Sequence, residues 1–304
     1  MTDTSWNDLL DPDEEALRQV WPDELHPSAL ARLLGPPSHT DEPRPRLEAH
    51  GPYVLGLFLI PVVVPEEDRI YYQQIHLILT HTLLVTVRKT PSNGEPFDSS
   101  VVHAACDSER EASAGMYAFH LVDEVAEHYL TLIDDLGSEI DELEEHLEDW
   151  PAQKVRKRLS TLRHDLLQIR RTLGPTRDAV RAIVDNRLEI KGQELFPSDV
   201  EVHFGDVYDK FLRASEGIEL SRDLVGGVRD YHQAKVANDQ NEVMKRLTVI
   251  ASMLLVPALI VGVYGQNLQG APEADWAYGY WWSWSLIVVV TLAQLAYFKK
   301  KHWI

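Results

Sequence analysis

The sequence contains one cysteine, Cys106, so no disulfide framework can form within the chain. A single thiol agrees with a reducing, cytosolic location for most of the chain. Basic residues are scarce as well: 29 Lys and Arg stand against 48 Asp and Glu, which gives a net charge of −19. This balance argues against a nucleic-acid partner. It attracts cations to the surface, although acidity that serves solubility explains the same number.

Motifs for catalysis are missing too. The chain lacks the Gly-x-x-x-x-Gly-Lys-Ser/Thr phosphate-binding motif, which argues against nucleotide-driven pumping. We therefore expect neither an enzyme nor a permanently bound cofactor. The N-terminus has no basic segment followed by an apolar core, so no cleaved signal is expected. His120, Glu124, Glu127 and His128 have the spacing of metal ligands on a helix, but they avoid its apolar seam, and a solvated face is favoured.

Long apolar runs are confined to the C-terminal end. Two charge-free segments, Leu247 to Val263 and about Trp281 to Phe298, each approach the roughly 20 residues that cross a bilayer core as a helix. The sequence predicts a transmembrane hairpin over 247–304, with spans at about 247–264 and 281–298 and an outer loop at 265–280. The alternative, a buried hairpin of a soluble protein, is disfavoured because neither run carries a charge.

Charges beside the spans predict their orientation. Lys245 and Arg246 precede the first span, and 299–301 after the second span are all Lys. The charged residues of the loop between the spans are Glu273 and Asp275. Basic residues stay on the cytoplasmic side, so we expect both termini inside a bacterial plasma (inner) membrane, as a multi-pass protein in contact with lipid. Aromatic residues that suit the membrane interface crowd the outer boundary: Trp276, Tyr278, Tyr280, Trp281, Trp282 and Trp284.

The first hundred residues predict a cytoplasmic α/β domain, 1–100. An Asp-Pro-Asp-Glu-Glu segment at 11–15 is typical of a helix start, with an Asp cap followed by Pro in the first turn. A second helix is expected from His26-Pro27-Ser28 to Leu34, where Gly35 ends it. Apolar runs at 53–64, 74–79 and 83–88 predict buried strands, and 90–100 predicts a loop.

The middle of the chain predicts long helices. Apolar residues spaced alternately by three and four continue from Phe119 to Leu147 and from Val155 to Leu173, separated by Trp150-Pro151. These indicate a cytoplasmic helical hairpin within 101–197, whose second helix should end at Gly174-Pro175. No proline lies between Pro197 and Pro257, so a stalk helix over 198–246 should continue into the first span. Such a helix needs partners to bury its apolar stripe.

The segment Tyr264-Gly265-Gln266-Asn267 followed by Ala271-Pro272-Glu273, between NEVMKRLTVIAS and KKKHW, resembles the CorA family of divalent-cation channels. Their hallmark is a Gly-Met-Asn tripeptide at the end of the first span. Here Gln266 replaces the Met, Leu268 replaces an aromatic residue and Ala271 replaces a loop Met. The similarity spans most of the chain and is specific in its C-terminal third.

The resemblance implies a funnel-shaped homopentamer with five first-span helices around a pore. Asn267 amides would form a neutral ring that binds the hydrated cation, Gly265 would allow the turn below it, and Glu273 would concentrate cations. A Gly-Asn helix cap without functional weight fits the same residues. Gln266 leaves the transported ion open among Mg²⁺, the leading candidate, Zn²⁺, Co²⁺ and Ni²⁺.

The Asn267 ring would be the outer mouth of the pore. By the same resemblance, one helical stripe on the cytoplasmic side of this mouth would line the pore. Apolar members Met244, Leu247 and Leu255 would form constrictions that gate by losing water. Pro257 is expected to kink this helix. The complete stripe is Asn241, Met244, Leu247, Thr248, Ala251, Leu255, Ala258 and Gly262.

CorA channels are held closed by cytosolic Mg²⁺ bound to an Asp pair between subunits. Asp206 matches one member, but Arg32 stands where the other is expected. An arginine cannot ligate a dication, so we expect this feedback site to be lost or relocated. Three functions remain open: a Mg²⁺ channel, a ZntB-like Zn²⁺ transporter, and a non-conducting membrane-anchored metal sensor or scaffold.

Overall fold

The computed structural model describes residues 4–21, 25–36, 43–64, 69–91, 95–107, 113–190, 193–266 and 276–303. The chain divides into two compact units, Met1–Val228 and Arg229–Ile304. The first unit contains the sheets and most of the helices, and the second contains the two apolar segments.

The first unit is built on a five-stranded sheet of order β1-β5-β4-β3-β2. Strand β1 pairs with β5 in parallel, and the other neighbours are antiparallel. The strands are β1 (Ser5–Leu10), β2 (Arg46–Ala49), β3 (Val54–Val64), β4 (Arg69–Leu79) and β5 (Leu83–Arg88), with a small β6 (Glu189–Ile190) and β7 (Gln193–Glu194) pair further along. The three predicted apolar runs are thus strands of one sheet.

Seven helices are present among the described residues. They are α1 (Glu14–Val20), α2 (Pro27–Leu34), α3 (Ser100–Asp107), α4 (Ala114–Glu145), α5 (Ala152–Val184), α6 (Ser198–Tyr264) and α7 (Gly279–Lys300). Alternation along the strands sends side chains to opposite faces. Leu55, Val85 and Val87 pack with α1 and α2, whereas Val54 and Leu84 belong to the large core that contains α4, α5 and α6.

The first two helices begin at capping residues. Helix α2 has the predicted bounds, with Pro27 in its first turn and the His26 ring accepting from Ser28 N. Helix α1 begins at Glu14, and Asp13 accepts from Ala16 N. The predicted cap at Asp11 is therefore wrong by two residues. Asp11 adopts a positive φ of 46°, and its carboxylate accepts from Thr90 N at 3.0 Å instead.

Helices α4 and α5 lie on either side of a short connection at 146–151, and Arg158 on α5 pairs with Glu139 on α4 at 2.6 Å. The predicted end of the second helix at Gly174-Pro175 is wrong, because Pro175 lies inside α5. The carbonyl that loses its donor belongs to Arg171, an exposed residue that water can reach. Beyond the proline, Ala179, Val180 and Ile183 are buried, which keeps the segment helical.

Helix α6 packs closely against α4 within the first unit. Gly217 allows this approach, because a Cβ there would lie 2.8 Å from the Ile133 side chain. Phe211 is fully buried and meets Tyr129 edge-on, with ring centroids 6.0 Å apart. The expected continuation of α6 through the first apolar run is confirmed, since the helix includes Pro257 and ends at Tyr264.

The parallel β1–β5 pair is held by a buried carboxylate that the sequence did not single out. Asp8 in β1 is 7% exposed and accepts from Thr86 Oγ1 at 2.6 Å and Ser99 Oγ at 2.7 Å. Arg88 Nη2 lies 2.7 Å from the same carboxylate. Burial opposes the charge on Asp8, but the hydrogen bonds from Arg88, Thr86 and Ser99 outweigh it and lower its pKa.

We predict that Asp8→Asn lowers the free energy of unfolding of the first unit by about 3 kcal/mol, because it leaves the largely buried Arg88 without its counter-ion. A folded-state pKa below the unfolded value stabilises the fold above that unfolded value. This contribution is lost as the pH falls through the folded pKa. The difference from wild type should therefore be constant at neutral pH and shrink in acid. Proteolysis of the full chain in a urea series measures it.

Asp178→Asn is the matched control, since Asp178 is 66% exposed beside Arg177 and should leave the urea midpoint unchanged. Equal midpoints for Asp8→Asn and wild type at neutral pH would show that the network contributes no net stability.

Candidate functional site

The end of α6 carries the motif that the sequence singled out. The helix ends at Tyr264, after which Gly265 N donates to Val261 O at 2.8 Å and Gln266 N donates to Val263 O at 3.3 Å. A Cβ at Gly265 would lie 3.0 Å from Val261 O, so glycine suits this tight turn. Gln266 is exposed. Asn267 and Glu273, the other predicted mouth residues, lie outside the described residues.

The predicted pore stripe lies on one exposed side of α6 in the second unit. Met244 and Leu255 are 62% and 71% exposed, and the other stripe members are exposed as well. Val249 is buried, and Ser252 O accepts from Gln294 Nε2 of α7 at 3.3 Å. At 100° per residue, Val249 lies roughly opposite the middle of the stripe, and Ser252 lies at its edge. The stripe is therefore the side of α6 that faces away from α7.

Hydroxyl groups on this part of α6 are bonded within the helix. Thr248 Oγ1 donates to Met244 O at 2.8 Å, and Ser252 Oγ donates to Thr248 O at 2.6 Å. A hydroxyl that donates to its own helix keeps its acceptor lone pairs. Thr248, which is on the stripe, can therefore accept a hydrogen bond from water bound to a cation.

The second unit exposes too much apolar surface for a water-soluble protein. Helices α6 and α7 are both long and apolar enough to cross a membrane, with mean hydropathies of 2.3 and 1.4 over their best 18-residue windows. Only 6% of each window is buried, whereas a soluble hairpin would bury these residues. Contiguous exposed apolar surface of this kind marks contact with lipid or with other protein surfaces.

The expected metal residues of the first unit do not form a site within one chain. Among the described residues, no three His, Cys, Asp or Glu side chains are placed to hold a metal ion. Asp206 is exposed on α6. Arg32, exposed on α2, pairs with Glu48 at 3.5 Å. The expected loss of a feedback site between subunits stays a prediction.

The His and Glu face on α4 is engaged in ion pairs. His128 lies 3.4 Å from Glu124, and Lys210 of α6 lies 2.5 Å from Glu127 and 2.6 Å from Asp123. Burial alone would lower the pKa of Lys210, but its hydrogen bonds to the two carboxylates raise it above the usual value. This face thus ties α6 to α4, which supports the structural interpretation over a metal site.

The fold and the site define a class of protein: an acidic α/β unit joined by one continuous helix to a pair of candidate membrane spans. The chain belongs to the CorA-like Mg²⁺ transporter family, whose sequence pattern it matches over residues 2–300. The resemblance drawn from the end of the first span is confirmed.

Named relatives agree with this family. The cobalt/magnesium transport protein CorA of Thermotoga maritima is 28% identical over 282 residues, covering 92% of this chain and 77% of that protein. The divalent cation transporter CmaX of Pseudomonas aeruginosa is 27% identical over 183 residues, covering 58% of this chain and 54% of the relative.

Solved structures share the fold. The complete CorA magnesium transporter of Methanocaldococcus jannaschii superimposes with a TM-score of 0.80 at 22% identity, covering 98% of this chain and 91% of that one. The ZntB cytoplasmic domain of Vibrio parahaemolyticus gives 0.60 at 14% identity, covering 78% of this chain and 90% of that one. Because both sequence identities are below 25%, these similarities support the shared fold and nothing further.

We predict that a thiol on the stripe contacts water in the membrane-inserted protein, whereas one on its flank contacts apolar surroundings. The test pair is Ala251→Cys on the stripe and Ile250→Cys on its flank, in a Cys106→Ser background, since both positions are exposed and adjacent on α6. Water-soluble thiosulfonates react with the thiolate, which forms only where water reaches. Labelling should be roughly tenfold faster at position 251 than at 250. Equal rates would remove the distinction between stripe and flank.

Proposed function

We propose that this chain is a divalent metal cation channel of the plasma membrane, with Mg²⁺ as its leading substrate. The observation that carries the proposal is the continuous exposed stripe on the side of α6 away from α7, in a chain of the CorA-like family. Relatives named for magnesium and cobalt transport favour Mg²⁺. On this proposal the chain is a transporter, and the cation is its cargo rather than a resident cofactor.

A pore requires several copies of the chain. Two spans provide too little wall to enclose a water-filled path, and α7 covers only one side of α6. Copies of α6 around an axis would cover the remaining apolar surface and place the stripe toward the centre. We propose the funnel-shaped homopentamer that the family resemblance implies, surrounded by lipid, with both termini in the cytoplasm.

The membrane potential would drive uptake. One elementary charge gains about 2.3 kcal/mol per 100 mV, so a dication gains about 4.6 kcal/mol. This suits a sequence that lacks a nucleotide-binding motif. The net charge of −19 supports accumulation of cations near the protein.

Selectivity would rest on neutral oxygen dipoles. Mg²⁺ loses its water shell reluctantly, so a mouth that binds the hydrated ion avoids the cost of dehydration. The proposed ring of Asn267 carbonyl groups would accept from that water, and Gln266 would add a second amide ring. Glu273 would raise the cation concentration outside. Fixed charges are absent from this ring, so an ion is not held too tightly to leave.

Closure would depend on the apolar members of the stripe. Met244, Leu247 and Leu255 are the large exposed side chains on it, and rings of such groups exclude water from a narrow path. Thr248, with its hydroxyl bonded to Met244 O, would provide a hydrogen-bond acceptor between these rings. Asn241 would form a polar ring at the cytosolic end, while Ala251, Ala258 and Gly262 would line wider sections.

A Zn²⁺ transporter of the ZntB type, with proton coupling as an added possibility, is the second candidate. Two departures from the family pattern favour it: Gln266 in the mouth motif and Arg32 in place of the second feedback carboxylate. A non-conducting membrane-anchored sensor or scaffold is the third candidate, and it predicts no flux at all.

We predict that the purified chain in liposomes takes up Mg²⁺ when a potential is applied, and that Asn267→Ala reduces this flux by roughly tenfold or more. Asn238→Ala, an exposed amide of α6 off the stripe, is the matched control and should conduct like wild type. Ion-sensitive dyes record Mg²⁺ and Zn²⁺ entry with and without a pH gradient.

Zn²⁺ entry that follows the pH gradient would replace the Mg²⁺ proposal with the ZntB-like one. Trimming the constrictions with Met244→Gly and Leu255→Gly should increase leak through a pore. If these variants and wild type all remain silent, the sensor or scaffold is the better proposal.

We also predict that cytosolic Mg²⁺ does not protect the full chain from proteolysis through Asp206, because Arg32 cannot complete the metal site. Asp206→Asn should therefore leave the protection unchanged. Arg32→Asp should create Mg²⁺-dependent protection that is lost when Asp206→Asn is added. Stoichiometric protection of the wild type that disappears in Asp206→Asn would contradict the loss of the feedback site.

A further inference from the structure

A second feature of the first unit has no place in the transport proposal. A cavity of about 210 Å³ lies on the α2 side of the five-stranded sheet. Its lining comes from the C-terminal end of α2, the edge strand β2, strands β3 and β4, and the residue after β5.

The strand register explains why these side chains meet. Arg46 of β2 pairs with Leu57 of β3, and Leu57 pairs with His76 of β4. Residues paired across neighbouring strands project to the same face of a sheet. Arg46, Leu57 and His76 therefore form a row along the floor of the cavity. The turn at Gly35 brings the end of α2 over this row.

The cavity is lined by three cations and by none of the described carboxylates. Arg32, Arg46 and Lys89 contribute to its wall. Glu48 pairs with Arg32 at 3.5 Å and with Arg46 at 3.4 Å, but it is not part of the lining. One carboxylate thus serves two guanidinium groups, and among the described residues a surplus of positive charge remains.

Lys89 adds a buried cation to this surplus. It is 6% exposed, and its Nζ donates to Arg32 O and Gly35 O, each at 2.6 Å. These bonds fix the end of α2, where carbonyl groups favour a cation. Within the described part of the chain, no carboxylate lies at ion-pair distance from Lys89. Burial lowers the pKa of Lys89, which Asp11 opposes from a distance.

His76 leaves an unused polar atom at the floor. The residue is 4% exposed, and its Nε2 is buried without a hydrogen-bond partner among the described residues. Burial, together with the charges of Lys89, Arg32 and Arg46, lowers the pKa of His76 to about 3. The neutral ring can carry a hydrogen on Nε2. A buried polar atom without a partner is unfavourable, so an acceptor placed there would be favoured.

We propose that this cavity binds a small organic anion, with a carboxylate or phosphate group held by Arg32, Arg46 and His76 and an apolar body against Leu55 and Leu57. Guanidinium groups match the paired oxygens of such headgroups. The apolar residues of the lining exclude a purely polar ion as the best ligand. Because α2 and β2 both line the cavity, the bound anion would link the helix to the edge of the sheet.

Ligand-observed fluorine NMR on the full-length chain in detergent tests the proposal with three probes of similar size. These are 4-fluorophenyl phosphate, 4-fluorobenzoate and the neutral 4-fluorobenzamide. We expect the fluorine signal of at least one anion to broaden on adding protein, and that of the amide to remain sharp. The anion that broadens more identifies the preferred headgroup.

Variants locate the binding. Arg46→Gln should reduce the broadening at least roughly fivefold, because it removes a charge-assisted hydrogen bond to the headgroup. Arg170→Gln removes the same charge from an exposed site on α5 that pairs with Glu219 and should have no effect. Ala31→Leu adds bulk to an exposed lining residue and should block the anion without removing any charge.

Three results would overturn the proposal. They are a lack of broadening with both anions, equal broadening with the neutral amide, and anion binding that Arg46→Gln and Ala31→Leu both leave intact. Each would leave Lys89 with a structural role only, at the end of α2. Transport is not measured in this experiment, so its result is independent of the channel proposal.

Discussion

Helix α6 is buried in a protein core along one part of its length and exposes apolar side chains along the other, and the rest of the structure depends on this difference. In the first unit, α6 buries Phe204, Phe211 and Ile218 in a core shared with α4 and α5. In the second unit the same helix exposes apolar side chains almost all round. A single helix cannot cover such an apolar surface by itself, and its exposure to water is unfavourable. A bilayer and the proposed further copies of the chain would meet this requirement together.

The part of α6 in the first unit is fixed by specific contacts as well as by burial. Lys210 reaches two carboxylates of α4, and Gly217 permits close contact with Ile133. These contacts join α6 to α4 in the large core, which also contains residues of the sheet and of α5, so the sheet and the helical hairpin share that core. The proposed segment boundaries at residues 100 and 197 remain a prediction about folding units, while the packing places both sides of each in Met1–Val228.

Sequence patterns predicted what local chemistry determines and missed what distant contacts determine. Long charge-free runs predicted both candidate spans, and Pro27 and Gly35 marked the bounds of α2. Strand β1 was missed because Asp8 interrupts its apolar pattern, and its charge is balanced by Arg88, 80 residues away. Helix α5 continues past Pro175 because the residues beyond it are buried. Of the predicted mouth, Gly265 and Gln266 have described positions, whereas Asn267 was proposed from the family motif alone.

Arg32 connects the two proposals for the first unit. Its guanidinium removes a carboxylate from the expected feedback site and adds a positive charge to the cavity beneath α2. A neutral substitution, Arg32→Gln, removes the positive charge from the cavity and supplies no carboxylate for a metal. Arg32→Asp also removes the positive charge, and in addition it supplies a carboxylate that can ligate a metal. If the two variants lose anion binding equally but only the aspartate responds to Mg²⁺, one residue has exchanged a cation site for part of an anion site. The chemistry of a guanidinium makes that exchange reasonable, since it cannot ligate a dication and pairs readily with carboxylate or phosphate.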